Sequence, residues 1–363
     1  MRLKRTIPIG EIDWSDIKRV LLIRLRSMGD IILMSPLICS LKKWKAELFL
    51  SILIEARFKA LLEGNSLVNS IITDKTGSEG KSSLADLELI FGKLAHQSFD
   101  MVINLHGGTR SALQTLASHA AYRVGAEHYR YSFIYNIRIP HPQVVWQTKR
   151  ALHTVENQLS LIKGLKIPIA ESKLTVPSRS EVKEEVIREL SSLGIDAGRP
   201  YIIIHPGGSF PSKRWQPSKF SQLSDWLIKT YKQPVLIVAD SKEGRIVREI
   251  LSQTKNRVFS IIGPPLEKLI AIIEGCALYI GNDAGPTHLA AAFNKPIVVI
   301  FCSSNHLQWH PWKTTYSLIR KELPCSPCPG KKCHNAIPFE CIGSIKLEEV
   351  QKGVEELMVK LKI

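Results

Sequence analysis

Gly281-Asn282-Asp283-Ala284-Gly285-Pro286-Thr287-His288 follows a short apolar run at 278–280 and leads into an alanine-rich stretch. The junction reads as strand, tight loop, helix, with Pro286 pre-setting the first helical turn. Free backbone N–H groups and the helix dipole make such an N-terminus an anion site. Asp283 would repel a phosphate if it pointed there, so it either hydrogen-bonds sugar hydroxyls or caps the helix. His288 lies within the first turns; on residue type alone, a satisfied structural histidine is commoner than a ligand.

Working outward, the same strand–loop–helix grammar recurs along the chain, the pattern of parallel sheets with crossover helices. In the first half, strands are expected at 20–23, 49–54, 70–73 and 101–104, with helices at 84–96 and 111–118. The Gly/Ser-rich segment 76–83 between them reads as a polar surface loop. A helix at 152–163 is followed by 165–180, which carries Pro168 and Pro177 and reads as a linker. The pattern then restarts, with strands at 201–204, 235–238, 258–261, 278–280 and 297–301. Helices are expected at 217–230, 243–252, 266–274 and 287–293. No sequence repeat relates the halves. The expected fold is α/β, two facing Rossmann-like domains with a cleft between them. The divisions are 1–170, 171–345 and a terminal segment 346–363, whose helix at 347–361 is free to pack back on either domain, the N-terminal one included.

With 363 residues the chain is long enough for two ordinary domains, and 44% apolar with 23% charged residues is the balance of a soluble globular protein. The uncharged run at 31–41 is eleven residues long, against about 20 for a spanning helix. Residues 1–19 lack the apolar core of a signal peptide, so a cytoplasmic location is expected. The formal net charge of +16 is spread along the chain, with no run of five or more basic residues. It reads equally as a solvated surface or as a field that attracts a polyanion, and charge alone does not choose between RNA and phospholipid.

Two more loops follow strands, where open α/β sheets bind ligands. In Arg24-Leu25-Arg26-Ser27-Met28-Gly29-Asp30, Gly29 permits a tight turn. Asp30 is either a helix cap or a carboxylate able to take a proton from a hydroxyl. Pro36 implies a kink or restart in the following helix. In the loop from His205 through Gly207, Gly208 and Ser209 to Lys213 and Trp215, the glycines, a hydroxyl and a point charge suit a phosphate, although a plain Pro/Gly-rich connection has the same look. Its spacing is not that of a Walker A motif. No Gly-x-Gly-x-x-Gly follows the first strand, and no Asp-x-Asp follows any strand. A diphosphate held here would be neutralised by Lys213, backbone N–H groups and helix dipoles.

Taken together these loops resemble glycosyltransferase family 9, the ADP-heptose:lipopolysaccharide heptosyltransferases, over nearly the whole chain. The resemblance rests on Gly29-Asp30-x5-Pro36-x4-Leu41, Phe99-Asp100-x3-Asn104-Leu105, Arg110-Ser111 and Tyr122-Arg123-Val124-Gly125. His205-Pro206-Gly207-Gly208-Ser209, Lys213-x-Trp215 and Asn282 to His288 are its most specific marks. It implies a GT-B fold and an inverting transfer that needs no metal or other cofactor. Asp30 is implied as the general base, with Gly29, Arg110 and Arg123 on the acceptor side. Lys213 is implied on the diphosphate, which Gly207, Gly208 and Ser209 line, and Glu243 on the nucleotide ribose. Asp283 is implied on the heptose hydroxyls, with Asn282, Ala284, Gly285, Thr287 and His288 completing the donor loop. Asn104 departs from the acid common at that place.

The implied partners are ADP-heptose and a phosphorylated, carboxylate-rich inner-core lipopolysaccharide on the inner leaflet of the cytoplasmic membrane. The protein would associate with that membrane peripherally; no nucleic acid is implied. Of seven cysteines, Cys39, Cys276 and Cys302 sit in apolar contexts. Cys325, Cys328, Cys333 and Cys341 resemble a Cys-rich tail of the family. Their spacing is compatible with a structural zinc or iron–sulfur site, with free thiols or a labile disulfide as alternatives. Competing functions are the same fold acting on a protein or another glycan, an epimerase of that fold, and a non-catalytic polyanion binder.

Overall fold

The computed structural model describes residues 6–75, 84–170, 173–196 and 198–361; the polar loop expected at 76–83 lies outside them. The chain forms two compact units that divide between Pro177 and Ser178.

In the first unit the strands are β1 (Arg19–Ile23), β2 (Phe49–Glu55), β3 (Ser70–Asp74), β4 (Met101–Asn104), β5 (Tyr122–Ala126) and β6 (Ile137–Ile139). They make one sheet in the order β3-β2-β1-β4-β5-β6, parallel throughout. In the second unit they are β7 (Ile202–His205), β8 (Val235–Ala239), β9 (Phe259–Ile262), β10 (Leu278–Asn282), β11 (Ile297–Phe301) and β12 (Tyr316–Arg320). Their order is β12-β11-β10-β7-β8-β9, again parallel. Counted from each unit's own first strand, both sheets run 3-2-1-4-5-6. The order reverses at β1/β4 in one unit and at β7/β10 in the other, the places where such sheets bind ligands.

Burial explains which strands the sequence displays. Every residue of β7, β8, β10 and β11 is buried. Parallel strands covered on both faces are written as unbroken apolar runs. Three strands were not expected: β5, β6 and β12. The first is Tyr-Arg-Val-Gly-Ala and the second has three residues with Arg138 exposed. The third is an edge strand with no fully buried residue.

The helix pattern was also partly hidden. Helix Met28–Ile32 ends and Ser35–Trp44 begins with Pro36 in its first turn, so the proline marks a restart. An unforeseen helix, Ser180–Leu193, buries Val182, Val186 and Leu190 at four-residue spacing. The terminal helix Leu347–Leu361 packs on β11, β12 and helix Pro217–Tyr231 of the second unit. It buries Val350, Val354, Leu357 and Met358 in that unit's main core.

Trp215 ties this core to the loop after β7. It is fully buried, meets Phe220 edge-to-face at 5.0 Å, and donates its indole N–H to the Ile345 carbonyl at 3.1 Å. A buried aromatic with a satisfied polar end fixes both position and orientation.

If the terminal helix completes the second core, Leu357→Ala should cost about 2–5 kcal/mol, the usual toll for a leucine-sized cavity. Chemical unfolding followed by tryptophan fluorescence measures this; an unchanged midpoint would place Leu357 outside the core.

Candidate functional site

Each unit gathers polar side chains at its own reversal point. In the first unit, β1 runs into Arg24 and the short helix Met28–Ile32. Asp30 sits at the third helical position and forms a capping box with Ser27. Its Oδ2 accepts hydrogen bonds from the Ser27 backbone N–H and hydroxyl, both at 2.9 Å. Its Oδ1 is paired with the Arg24 guanidinium, which also donates to the Leu105 carbonyl. The carboxylate is therefore a cap, as residue type allowed, and a charged group at the sheet's ligand end. Its side chain keeps 12% of its surface exposed.

His106, beyond the end of β4, was not singled out from sequence. Asn104 Oδ1 accepts the backbone N–H groups of His106 and Gly107 at 2.9 and 3.1 Å, and its amide donates to Thr115 at 3.0 Å. The asparagine thus shapes the loop that presents His106. Burial, reinforced by Arg24 and Arg26, pushes the imidazole down to about 4, with Asp30 opposing. The signal available in sequence was its place just after a strand.

The two acceptor-side arginines separate. Arg110 bridges buried Glu55 and Asp74, at 2.6 and 3.3 Å, at the ends of β2 and β3. Arg123 is buried, and its guanidinium donates to the Ile134 and Ala120 carbonyls at 3.0 and 3.1 Å. Its guanidinium is thus held against backbone carbonyls on either side of β5. Gly29 lies buried in the first helical turn, its carbonyl accepting from Leu33 at 2.9 Å.

In the second unit, β7 and β10 are neighbours, with Gly281 opposite His205. The loops that leave them are stitched together by Asn282. Its amide donates to the Pro206 and Gly207 carbonyls at 2.8 and 3.2 Å, and its oxygen accepts from Trp215 at 3.3 Å. Asn282 therefore builds the loop.

Glu243 closes it from the other side. Its oxygens accept from Gly208 N–H at 2.9 Å and Asp240 N–H at 3.0 Å. A Cβ on Gly207 would lie 2.1 Å from the carboxylate, so any side chain there would displace Glu243 from its backbone partners. With each oxygen already holding a backbone N–H, Glu243 acts here as the support of the glycine turn. Ser209 is exposed at the tip.

Lys213 and Asp283, seventy residues apart, meet at 2.6 Å. Ser304, unforeseen from sequence, donates its hydroxyl to the same Asp283 oxygen. The carboxylate is thereby taken away from the following helix, Gly285–Ala292, whose cap position is Ala284 with no side-chain cap. The capping alternative for Asp283 falls. What remains is an N-terminus with no capping side chain, beside a lysine. Thr287 donates to the Asn282 carbonyl at 3.0 Å, and buried His288 lies 6.1 Å from Trp309, ring to ring.

Cys325, Cys328, Cys333 and Cys341 all line one cavity of about 500 Å3, together with Ser212 and His334. They do not form a ligand set. Cys325 is exposed, the Cys333 sulfur accepts from Phe339 N–H at 3.1 Å, and Cys341 is hydrogen-bonded to Cys302. That bond holds the Cys341 thiol down to about 7. Among the described residues no group of three His, Cys, Asp or Glu side chains is placed to hold a metal. Of the alternatives open from spacing, a zinc or iron–sulfur site does not fit this arrangement.

Residues 89–337 match the family described as glycosyltransferase family 9 (heptosyltransferase). A similar curated protein is lipopolysaccharide heptosyltransferase 3 of Escherichia coli, 25% identical over 293 residues, 79% of this chain and 84% of that one. Among solved structures, the glycosyl transferase family 9 protein of Veillonella parvula DSM 2008 superposes with a TM-score of 0.80 at 21% identity. The match covers 95% of this chain and 98% of that one. E. coli ADP-heptose lps heptosyltransferase II gives 0.75 at 19% identity, covering 95% and 100%. These likenesses carry the GT-B fold.

A histidine lowered in the folded state binds its proton less readily there than in the unfolded chain. His106 should therefore be neutral throughout the neutral range and cost stability as pH falls from its ordinary value of 6.5 toward 4. An NMR titration of its ring protons checks this; a midpoint near 6.5 would mean that the imidazole is solvated.

Proposed function

The chain belongs to glycosyltransferase family 9, and from that premise we propose that it moves heptose from ADP-L-glycero-D-manno-heptose to the phosphorylated inner core of lipopolysaccharide. The transfer inverts the anomeric centre and needs no metal. The observation that carries the donor half is the meeting of Lys213 and Asp283 beside an uncapped helix N-terminus.

Without donor, the two charges neutralise each other. A bound nucleotide sugar gives each a new partner: the diphosphate takes Lys213 and the helix N–H groups, and sugar hydroxyls take Asp283. Gly207, Gly208, Ser209, Gly285, Thr287 and His288 complete this side. In the reaction the acceptor hydroxyl oxygen bonds to the anomeric carbon as the bond to the diphosphate oxygen breaks. The hydroxyl proton passes to Asp30, and the charge that develops on ADP is met by Lys213. Arg24 and Ser27 hold Asp30 in place. The first unit takes the acceptor, with Gly29 and Arg110 on that side, and the second takes the donor.

The acceptor's anionic character gives the net charge of +16 a partner. Among the described residues no helix is long and apolar enough to cross a membrane. Attraction of a basic protein to the anionic inner leaflet is therefore our reading of how it reaches a glycolipid from the cytoplasm.

Lys213→Ala should weaken ADP binding about tenfold to a hundredfold, the worth of a charge-assisted hydrogen bond. Unchanged affinity by titration calorimetry would remove Lys213 from the diphosphate. Asp30→Ala should lower kcat by about 10²–10⁴ while ADP affinity survives. Transfer that persists there but is lost in His106→Ala would move the proton to the imidazole. Mass spectrometry of products from truncated core acceptors, a peptide and other glycans identifies the acceptor. No heptosylated core product would refute the lipopolysaccharide reading.

A further inference from the structure

The Cys-rich segment has no part in the donor site as described, yet it touches the site's foundations. Ser212 and Ser303 are the residues just before Lys213 and Ser304, the two groups that grip Asp283. Their hydroxyls lie 3.0 Å apart. Lys213 and Ser304 in turn share Asp283 Oδ2. Ser212, Lys213, Asp283, Ser304 and Ser303 thus form a closed polar ring that joins the loops after β7, β10 and β11.

The Cys-rich segment presses on the ring where the two serines meet. Ser212 donates its hydroxyl to the Gly330 carbonyl at 2.8 Å. Cys328 N–H donates to the Ser303 carbonyl at 2.8 Å, and the Cys302 sulfur sits against the Ser212 carbonyl. Gly330 has φ +76, and a Cβ there would stand 2.9 Å from both serine hydroxyls. Ser212 is buried at 3% exposure and Ser303 at 1%. Hydrogen bonds between side chains so deeply buried are costly to break.

We propose that Gly330, through Ser212 and Ser303, is a positioning residue for the donor site: the segment 325–341 braces the polar ring that sets Lys213 against Asp283. The proposal rests on the donor reading of Lys213 and Asp283. The brace works through geometry, because small displacements of a charged group at a diphosphate weaken binding without touching the ligand.

The test uses the full chain, with ADP as the probe in titration calorimetry and with Lys213→Ala as reference. Gly330→Ala and Ser212→Ala should each raise the ADP dissociation constant about tenfold. The double variant should cost no more than the larger single change, since both break one joint. In turnover the loss should fall on the donor KM, with the acceptor KM unmoved. Should Gly330→Ala fail to fold, Ser212→Ala, which introduces no strain, carries the test. Unchanged ADP affinity in both single variants, while Lys213→Ala weakens it, overturns the brace and leaves the donor reading standing. Losses that are additive and that track a falling melting temperature also overturn it, because they describe packing alone. Unchanged affinity in Lys213→Ala as well would refute the donor reading, and the brace with it.

Discussion

A parallel strand can bury both faces only if the chain crosses over after it, and every crossover leaves a loop at the strand's carboxyl end. That constraint organises both units. Each sheet starts in its middle, builds outward on one side, and returns to build on the other. The loops after the first and fourth strands therefore diverge and leave a concave rim. Asp30, Arg24 and His106 stand on one such rim, and Lys213, Asp283 and the Gly285–Ala292 helix on the other.

On the second rim the electrostatics are arranged before any ligand arrives. Asp283 is nearly buried and would be costly alone. Lys213 and Ser304 satisfy it, which spares the helix N-terminus from being capped by its own chain. Glu243 and Asn282 use their polar atoms on backbone groups of the glycine turn and of the segments beside it, so the loop is held by side chains that resemble ligand contacts in sequence. Nothing in residue type separates a carboxylate that grips a ribose from one that grips a peptide N–H.

On the first rim the balance differs. Arg24 and Asp30, both largely buried, compensate each other, and their neighbour His106 is driven neutral by burial and by nearby guanidinium groups. Arg110 is likewise tied to two buried acids.

The strands that lie buried on both faces, the loops that follow them, and the residue types able to handle a diphosphate were all legible in the sequence. They depend on local periodicity and on chemistry carried by single side chains. β6 and β12 were not legible, because an edge or a short strand need not be apolar, and β5, an inner strand, was hidden by the polar and small residues of Tyr-Arg-Val-Gly-Ala. Sequence also could not say that Arg123 is spent on carbonyls, that Cys341 pairs with Cys302 instead of joining its three neighbours, or that Ser304 shares Asp283 with Lys213. Those facts depend on which strands lie side by side. β10 reaches β7 only after three crossovers of the chain, and β11 joins it after a fourth, so the pairings that make the site are long-range contacts, and tertiary structure alone decided them.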